Sequence, residues 1–283
     1  MMHNLFHLTD TEKTFSVLTV DTTQAVQDMQ NKHKLKENEA AALGQLLTAA
    51  ALLSTMLVQD ETITLTAEGL LNCGTAVAVA EASGAVRGFF DEDEAGDAKR
   101  AVPMLRVMRR AGLAEPRMSF CLLTADSVEE SLHEYLRTSQ QMDALCRLET
   151  RFSKDGEVVD FAGGVCFLPW TKTQNTLGEA VRETLESAKL PKFLKANGVK
   201  SPLEKAFPNE VFLRRDEKTA DYRCTCSLER MERGLQSIGT AALSELLEDE
   251  FTEMQCHFCG HKYLFSRESI RTLLQEMEEN LSQ

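Results

Sequence analysis

The feature that most constrains this chain lies near its end, where Cys224-Thr225-Cys226 and Cys256-His257-Phe258-Cys259 flank the segment from Ser227 to Gln255. Two close thiol pairs joined by a loop can enclose one tetrahedral zinc, which takes sulfur ligands at about 2.3 Å. Thiolates are soft donors, so an all-sulfur set selects zinc or iron–sulfur over magnesium or calcium. Cys224, Cys226, Cys256 and Cys259 are therefore the candidate ligands of one zinc per chain, and Gly260 suits the tight turn of a zinc knuckle. The first pair is unusual, because a single residue separates its thiols. Thiols so close can form a local disulfide once the metal is gone, and strained bridges tend to be the labile, regulatory ones. A permanent structural zinc ribbon is the plainer reading of the same cysteines. His257 or His261 could replace one sulfur, but with four cysteines at hand both are expected beside the ligands or in solvent.

Charge narrows the possible partners. The net charge of -13 argues against a phosphate-binding surface. From Arg223 to Gln283 there are 6 Lys and Arg against 11 Asp and Glu, whereas a zinc finger that reads DNA should be basic. No nucleic-acid partner is expected. Met1 to His7 lacks both a basic segment and an apolar run of the signal-peptide kind, so a cytoplasmic location is expected. In that compartment the 8 cysteines should be reduced, metal-bound or redox-sensing. Ala40 to Val58 carries no charge and is long enough to test as a membrane span. It includes Gly44, Gln45, Thr48, Ser54 and Thr55, is rich in alanine and has no basic flank, so it reads as a buried core helix.

With 283 residues the chain has room for two domains. Hydrophobic periodicity predicts a strand over Thr14 to Val20, a polar helix over Thr22 to Lys34 and an apolar one over Glu37 to Met56. Glu61 to Ala67 reads as a strand, and Ala76 to Glu81 with Ala85 to Phe90 as a hairpin about Ser83-Gly84. The acidic run Asp91 to Glu94 reads as a solvated loop, and Arg117 to Thr124 as another strand. Ser127 with Glu130 offers a capping box for a helix to about Arg137, and Asp143 to Phe152 with Val158 to Leu168 flanks a hairpin turn at Lys154-Asp155-Gly156. From Thr176 the pattern turns helical, with Leu177 to Leu190, a break at Pro191 and a helix start at Ser201-Pro202-Leu203-Glu204. The expected class is α+β: an N-terminal sheet-and-helix domain over 1–176, a helical linker over 177–222 and a small C-terminal zinc module over 223–283.

Other chemistry is sparse. The sequence contains no phosphate-cradling G-x-x-x-x-G-K-[ST], no G-x-S-x-G elbow and no H-E-x-x-H pair. Cys73, Cys121, Cys146 and Cys166 lie in apolar strand-like contexts, where each is expected as a small buried hydrophobe.

A resemblance joins these parts. Tyr222-Arg223-Cys224-Thr225-Cys226-Ser227, Glu229-Arg230, Leu235, Ile238-Gly239 and Cys256-His257-Phe258-Cys259 with Tyr263 and Phe265 resemble the C-terminal module of the redox-regulated 33 kDa chaperonin (heat-shock protein 33) family. Upstream, Ala162-Gly163-Gly164 with Leu168-Pro169 resembles the end of that family's N-terminal domain, and Gly84 to Phe89 its hairpin after the long apolar helix. Tyr135 and Ser139-Gln140-Gln141 are similar to a third element, with Gln140 where glutamate is usual.

The resemblance implies a holdase that binds unfolding client proteins under oxidative stress, without ATP and without being an enzyme. It implies a reduced, zinc-bound, inactive form. Oxidation is implied to release zinc, form the disulfides Cys224–Cys226 and Cys256–Cys259, and unfold module and linker. Apolar linker residues (Leu185, Phe193, Leu194, Phe207, Val211, Phe212) would then be uncovered, and the active form would be a homodimer. Two other readings stay open. One is a thiol–disulfide oxidoreductase using Cys256 and Cys259, which needs the first thiol exposed at a helix N-terminus after a strand. The other is a constitutive interaction protein with structural zinc.

Overall fold

The computed structural model describes residues 4–70, 74–92, 102–112, 114–123, 127–170, 183–184, 194, 207 and 211–281. The chain divides into two compact units, Met1–Arg223 and Cys224–Gln283.

The first unit starts with the strands β1 (Leu5–Asp10) and β2 (Phe15–Asp21), followed by the helices α1 (Thr23–His33) and α2 (Glu37–Ser54). Next come β3 (Glu61–Leu70), β4 (Gly74–Glu81), β5 (Ala85–Glu92), β6 (Met104–Ala111) and β7 (Arg117–Leu122). The helix α3 (Val128–Ser139) leads to β8 (Leu145–Phe152) and β9 (Val159–Pro169), and β10 (Phe212–Lys218) and β11 (Asp221–Tyr222) close the unit. One sheet has the order β10-β1-β2-β9-β8 and the other β11-β5-β4-β3-β6-β7. Every pairing in them is antiparallel except that of β11 with β5.

The helix α2 packs against strands of both sheets. Its apolar residues run all round the helix, and Ala40, Leu43, Leu46, Leu47 and Ala49 to Leu53 are all buried, as a helix enclosed on every side requires. Its few polar groups are satisfied internally: the Thr48 hydroxyl donates to the Gly44 carbonyl at 2.7 Å and lies 2.7 Å from the Thr22 hydroxyl. Close approach of sheet to helix depends on a glycine, since a Cβ on Gly164 would stand 2.8 Å from Leu148 and 3.0 Å from both Leu52 and Thr48. Among the described residues, no helix is long and apolar enough to cross a membrane.

The expected strands and helices up to Leu168 are present, and two more strands, β1 and β6, were not foreseen. Asp91 and Glu92 end β5 rather than forming a loop, with Asp91 exposed, and residues 93–94 lie outside the described set. Most of the helical linker expected over 177–222 also lies outside it, although Glu183, Thr184 and Leu194 are helical. The end of that segment needs correction. Phe212–Lys218 is a strand that adds to the edge of β1. Its charged residues face outward at a sheet edge, a placement that discourages edge-to-edge association and that reads in sequence like a polar helix.

Phe212 anchors that strand. It joins Leu8, Phe15, Val17, Phe161, Val165, Phe167 and Phe207 in a second buried cluster against the first sheet. The Phe207 ring lies 5.9 Å from Phe15, 6.0 Å from Phe167 and 6.2 Å from Phe212, within the range of favourable aromatic pairing. In the other sheet, the Tyr222 hydroxyl donates to the Gly88 carbonyl at 3.0 Å, and the Arg223 N–H to the Val86 carbonyl at 2.9 Å.

The remaining cysteines differ from one another. Cys73 lies outside the described residues. Cys121 is half-buried; burial, then the Glu134 charge, pushes its thiol up to about 11. Cys146 and Cys166 are buried as expected, but they are joined in a disulfide rather than standing as separate hydrophobes. The pairing of β8 with β9 sets them directly opposite each other, a relation that a one-dimensional reading does not contain.

Candidate metal centre

The second unit is small. Its helices are α4 (Leu228–Ser237), α5 (Thr240–Glu245) and α6 (Arg267–Leu281), with a 3-10 turn at Leu246–Glu248 and the hairpin β12 (Phe251–Gln255) and β13 (Lys262–Ser266). The Ser227 hydroxyl caps α4 by accepting from the Arg230 N–H at 3.3 Å. The buried apolar core comprises Leu235, Leu243, Phe265, Ile270 and Leu273.

Cys256 and Cys259 sit at the tip of the β12–β13 hairpin. The Cys256 N–H donates to the His261 carbonyl at 2.9 Å, and the Gly260 N–H to the Cys256 carbonyl at 2.8 Å. Gly260 closes this turn with φ +70°, in the left-handed region that glycine enters without penalty. Cys224 and Cys226 come from the segment between β11 and α4. Thr225, between them, accepts from the Arg230 guanidinium at 2.7 Å.

The four sulfurs lie within 4.8 Å of one another. Between the pairs, Cys224 Sγ is 3.7 Å from Cys256 Sγ, and Cys226 Sγ is 3.5 Å from Cys259 Sγ. A tetrahedron with metal–sulfur bonds of about 2.3 Å has edges of about 3.8 Å, so the cluster has the size and donor set of a four-thiolate site. The four cysteines can hold a metal ion, and the soft donors favour zinc. Cys256 is buried and the other three are half-buried.

The thiols differ in acidity. Burial, with hydrogen bonds among the sulfurs, pushes Cys224 up, and partial burial raises Cys259. Partial burial also opposes ionisation of Cys226, but the Tyr263 hydroxyl and the neighbouring thiols donate to its sulfur and hold it below the usual thiol range. Tyr263 donates to Cys226 Sγ at 3.1 Å, a bond that raises its own hydroxyl to about 12. The His261 ring packs edge-on against Tyr263 at 4.6 Å and steadies it. Neither His257 nor His261 belongs to the sulfur group.

Tyr263 touches the sulfur group through Cys226 but was not singled out by sequence reasoning, since it entered only as part of a resemblance. Its place depends on the hairpin register, in which it faces Met254. Tyr263→Phe keeps the ring and removes the donor. It is expected to weaken metal binding by about 10-fold or more, as is typical when a partner of a ligand is lost. Competition against a colorimetric chelator measures this, and an unchanged affinity would assign the hydroxyl no part in the site.

Cys256 does not have the placement expected of the first thiol of an oxidoreductase. Cys256 follows a strand, but it is buried, and the chain after it runs through a turn into β13 rather than into a helix.

Fold and site together define an α+β protein with a separate C-terminal four-thiol module able to hold a metal ion. The family model for the Hsp33 protein matches residues 4–266, and the chain belongs to the Hsp33 family. A 33 kDa chaperonin of Thermus thermophilus is 31% identical over 92% of this chain and 83% of its own length. One from Levilactobacillus brevis is 29% identical over 93% of this chain and 95% of its own. The crystal structure of a 33 kDa chaperonin (Hsp33 homologue) from Thermotoga maritima has the same fold, with a TM-score of 0.80 at 23% identity over 98% of this chain and 100% of that one.

Proposed function

We propose that this protein is a redox-regulated, ATP-independent holdase that binds unfolding proteins and keeps them from aggregating under oxidative stress. Family membership and relatives named as chaperonins support the chaperone part. The observation that carries the regulation is the gathering of four sulfurs within 4.8 Å in a unit whose own apolar core is small.

In the reduced state Cys224, Cys226, Cys256 and Cys259 would hold one zinc per chain. Zinc supplies structural energy there, because metal-binding free energy is folding free energy in so small a module. An oxidant such as peroxide is attacked by a thiolate sulfur, and each sulfur so consumed is a ligand lost. The proposed products are the bridges Cys224–Cys226 and Cys256–Cys259. Both close very short loops and therefore constrain the unfolded chain far less than one clamp joining all four sulfurs.

Loss of order in the module would then loosen the segment that precedes it. Tyr222 and Arg223, which pin β11 to β5, are the last residues before Cys224. Departure of β10 and Phe207 would strip the cover from Phe15 and Phe167 and free the edge of β1. These surfaces would add to apolar side chains that are already exposed on the edge strand β7, where Met118, Phe120 and Leu122 share one face. Apolar surface of this extent takes up the apolar segments of an unfolding client. A homodimer as the active form and a cytoplasmic location complete the proposal on the likeness to the family.

The test is light scattering of a heat-unfolding client without nucleotide, with equal amounts of reduced metal-loaded and peroxide-treated protein. Suppression by the oxidised form alone is the expected outcome. Equal suppression by both forms would leave a chaperone without the switch, and suppression by neither would remove the chaperone reading.

A further inference from the structure

The four-thiol module does not account for every paired sulfur in the chain. Cys146 on β8 and Cys166 on β9 are partners in register, with Cα atoms 4.0 Å apart. Cys146 turns its N–H away from β9, donating it to Nε2 of His133 at 2.8 Å, and Leu148 does the same toward the Glu129 carboxylate at 2.7 Å. This marks Cys146 and Cys166 as a non-hydrogen-bonded pair, the antiparallel position at which facing side chains come closest. The structure joins the two sulfurs, and they lie in the first compact unit, apart from the metal centre.

We propose that Cys146 and Cys166 form a second, reversible redox site, open as a dithiol in the reduced protein and closed by hydroperoxides. One thiolate attacks the peroxide, breaking the O–O bond and leaving a sulfenic acid and water or an alcohol. The second thiol then displaces the sulfenic oxygen as water, forming the S–S bond. The two sulfurs are oxidised by two electrons in all, and the peroxide is reduced by the same two. A dithiol reductant reverses the step by exchange.

Access and consequence both follow from the place of β8 in the fold. Both sulfurs are nearly enclosed, with Cys146 3% and Cys166 1% exposed. However, β8 is the edge of its sheet, and at Cys146 and Leu148 its outer N–H groups are held by side chains of α3 rather than by another strand. Parting those two contacts frays β8 and admits small oxidants and reductants. Once closed, the bridge ties the edge strand to β9 across a sequence separation of 20. Oxidation therefore acts oppositely on the two units: it locks the strand pair of the first while the proposed chemistry at Cys224 to Cys259 loosens the second. The site itself does not depend on the holdase reading.

The full-length protein tests this. The chain has 1 tryptophan, Trp170, which directly follows β9 and donates from Nε1 to the Ser16 hydroxyl at 2.7 Å, so its fluorescence reports the melting of the first unit. Differential alkylation with mass spectrometry should find a peptide pair linked through Cys146 and Cys166 after peroxide, and two free thiols after native treatment with dithiothreitol. Closing a loop of this length should raise the Trp170-monitored midpoint by about 6–12 °C. The double variant Cys146→Ala/Cys166→Ala should lose that shift. Free thiols that persist after peroxide, a bridge that resists native reduction, or oxidation of the wild type without a gain in midpoint would each overturn the proposal. The wild-type measurements decide the matter even if the double variant fails to fold.

Discussion

Oxidation by peroxide, or stripping of the metal from reduced protein by a chelator, is expected to unfold residues 224–283 and release β10, while the rest of the first unit stays folded. The reason lies in the two cores. The second unit buries Leu235, Leu243, Phe265, Ile270 and Leu273 and little else, and a single core of this size rarely supplies more than about 3–5 kcal/mol by itself. A structural zinc contributes on the order of 10–16 kcal/mol of binding free energy, which exceeds the whole stability of most small domains. By contrast, the first unit wraps both sheets around α2 with a core running from Leu5 to Ala220. Hydrogen exchange resolves the two. Amides of α4, β12, β13 and α6 should lose protection on metal removal, while those of β2, β3 and β9 keep it. Uniform protection, or uniform loss, would contradict a metal-dependent module.

Replacing Cys224, Cys226, Cys256 and Cys259 with serine removes the ligands without supplying any new bridge. Serine is nearly isosteric with cysteine, but its neutral hydroxyl is a poor zinc ligand, so the expected variant is metal-free at any redox state. It should show the exchange pattern of the oxidised wild type, with the second unit and β10 unprotected, and bind a hydrophobic dye under reducing conditions. Peroxide should then produce no further change in that dye signal, whereas the wild type should show a large step. An oxidoreductase predicts the reverse, because loss of the attacking thiolate would abolish function rather than unmask it. A purely structural zinc module predicts lower stability and no gain of surface binding.

Much of this was legible in the chain. Cys224-Thr225-Cys226 and Cys256-His257-Phe258-Cys259 declare a four-sulfur site because ligand chemistry depends on residue type and short spacing, both of which are one-dimensional. The buried helix α2 and the hairpin β4–β5 were equally readable from continuous apolar character and from Ser83-Gly84, where Gly84 takes φ +92°. What escaped depends on partners far away in sequence. Leu5–Asp10 becomes a strand because β2 and β10 pair with it on either side, and Met104–Ala111, with its three arginines, because β3 and β7 do. Phe212–Lys218 reads as polar helix until the aromatic cluster that receives Phe212 is known. Cys146 and Cys166 look like two independent apolar cysteines until β8 and β9 are placed in register.

Light scattering of a heat-unfolding client mixed with the reduced four-serine variant is the decisive measurement. Under dithiothreitol, with neither peroxide nor nucleotide present, the wild type should leave aggregation unchecked and the variant should suppress it. A variant that stays soluble and metal-free yet lets the client aggregate would contradict the role of the four sulfurs as the clamp that keeps this protein inactive.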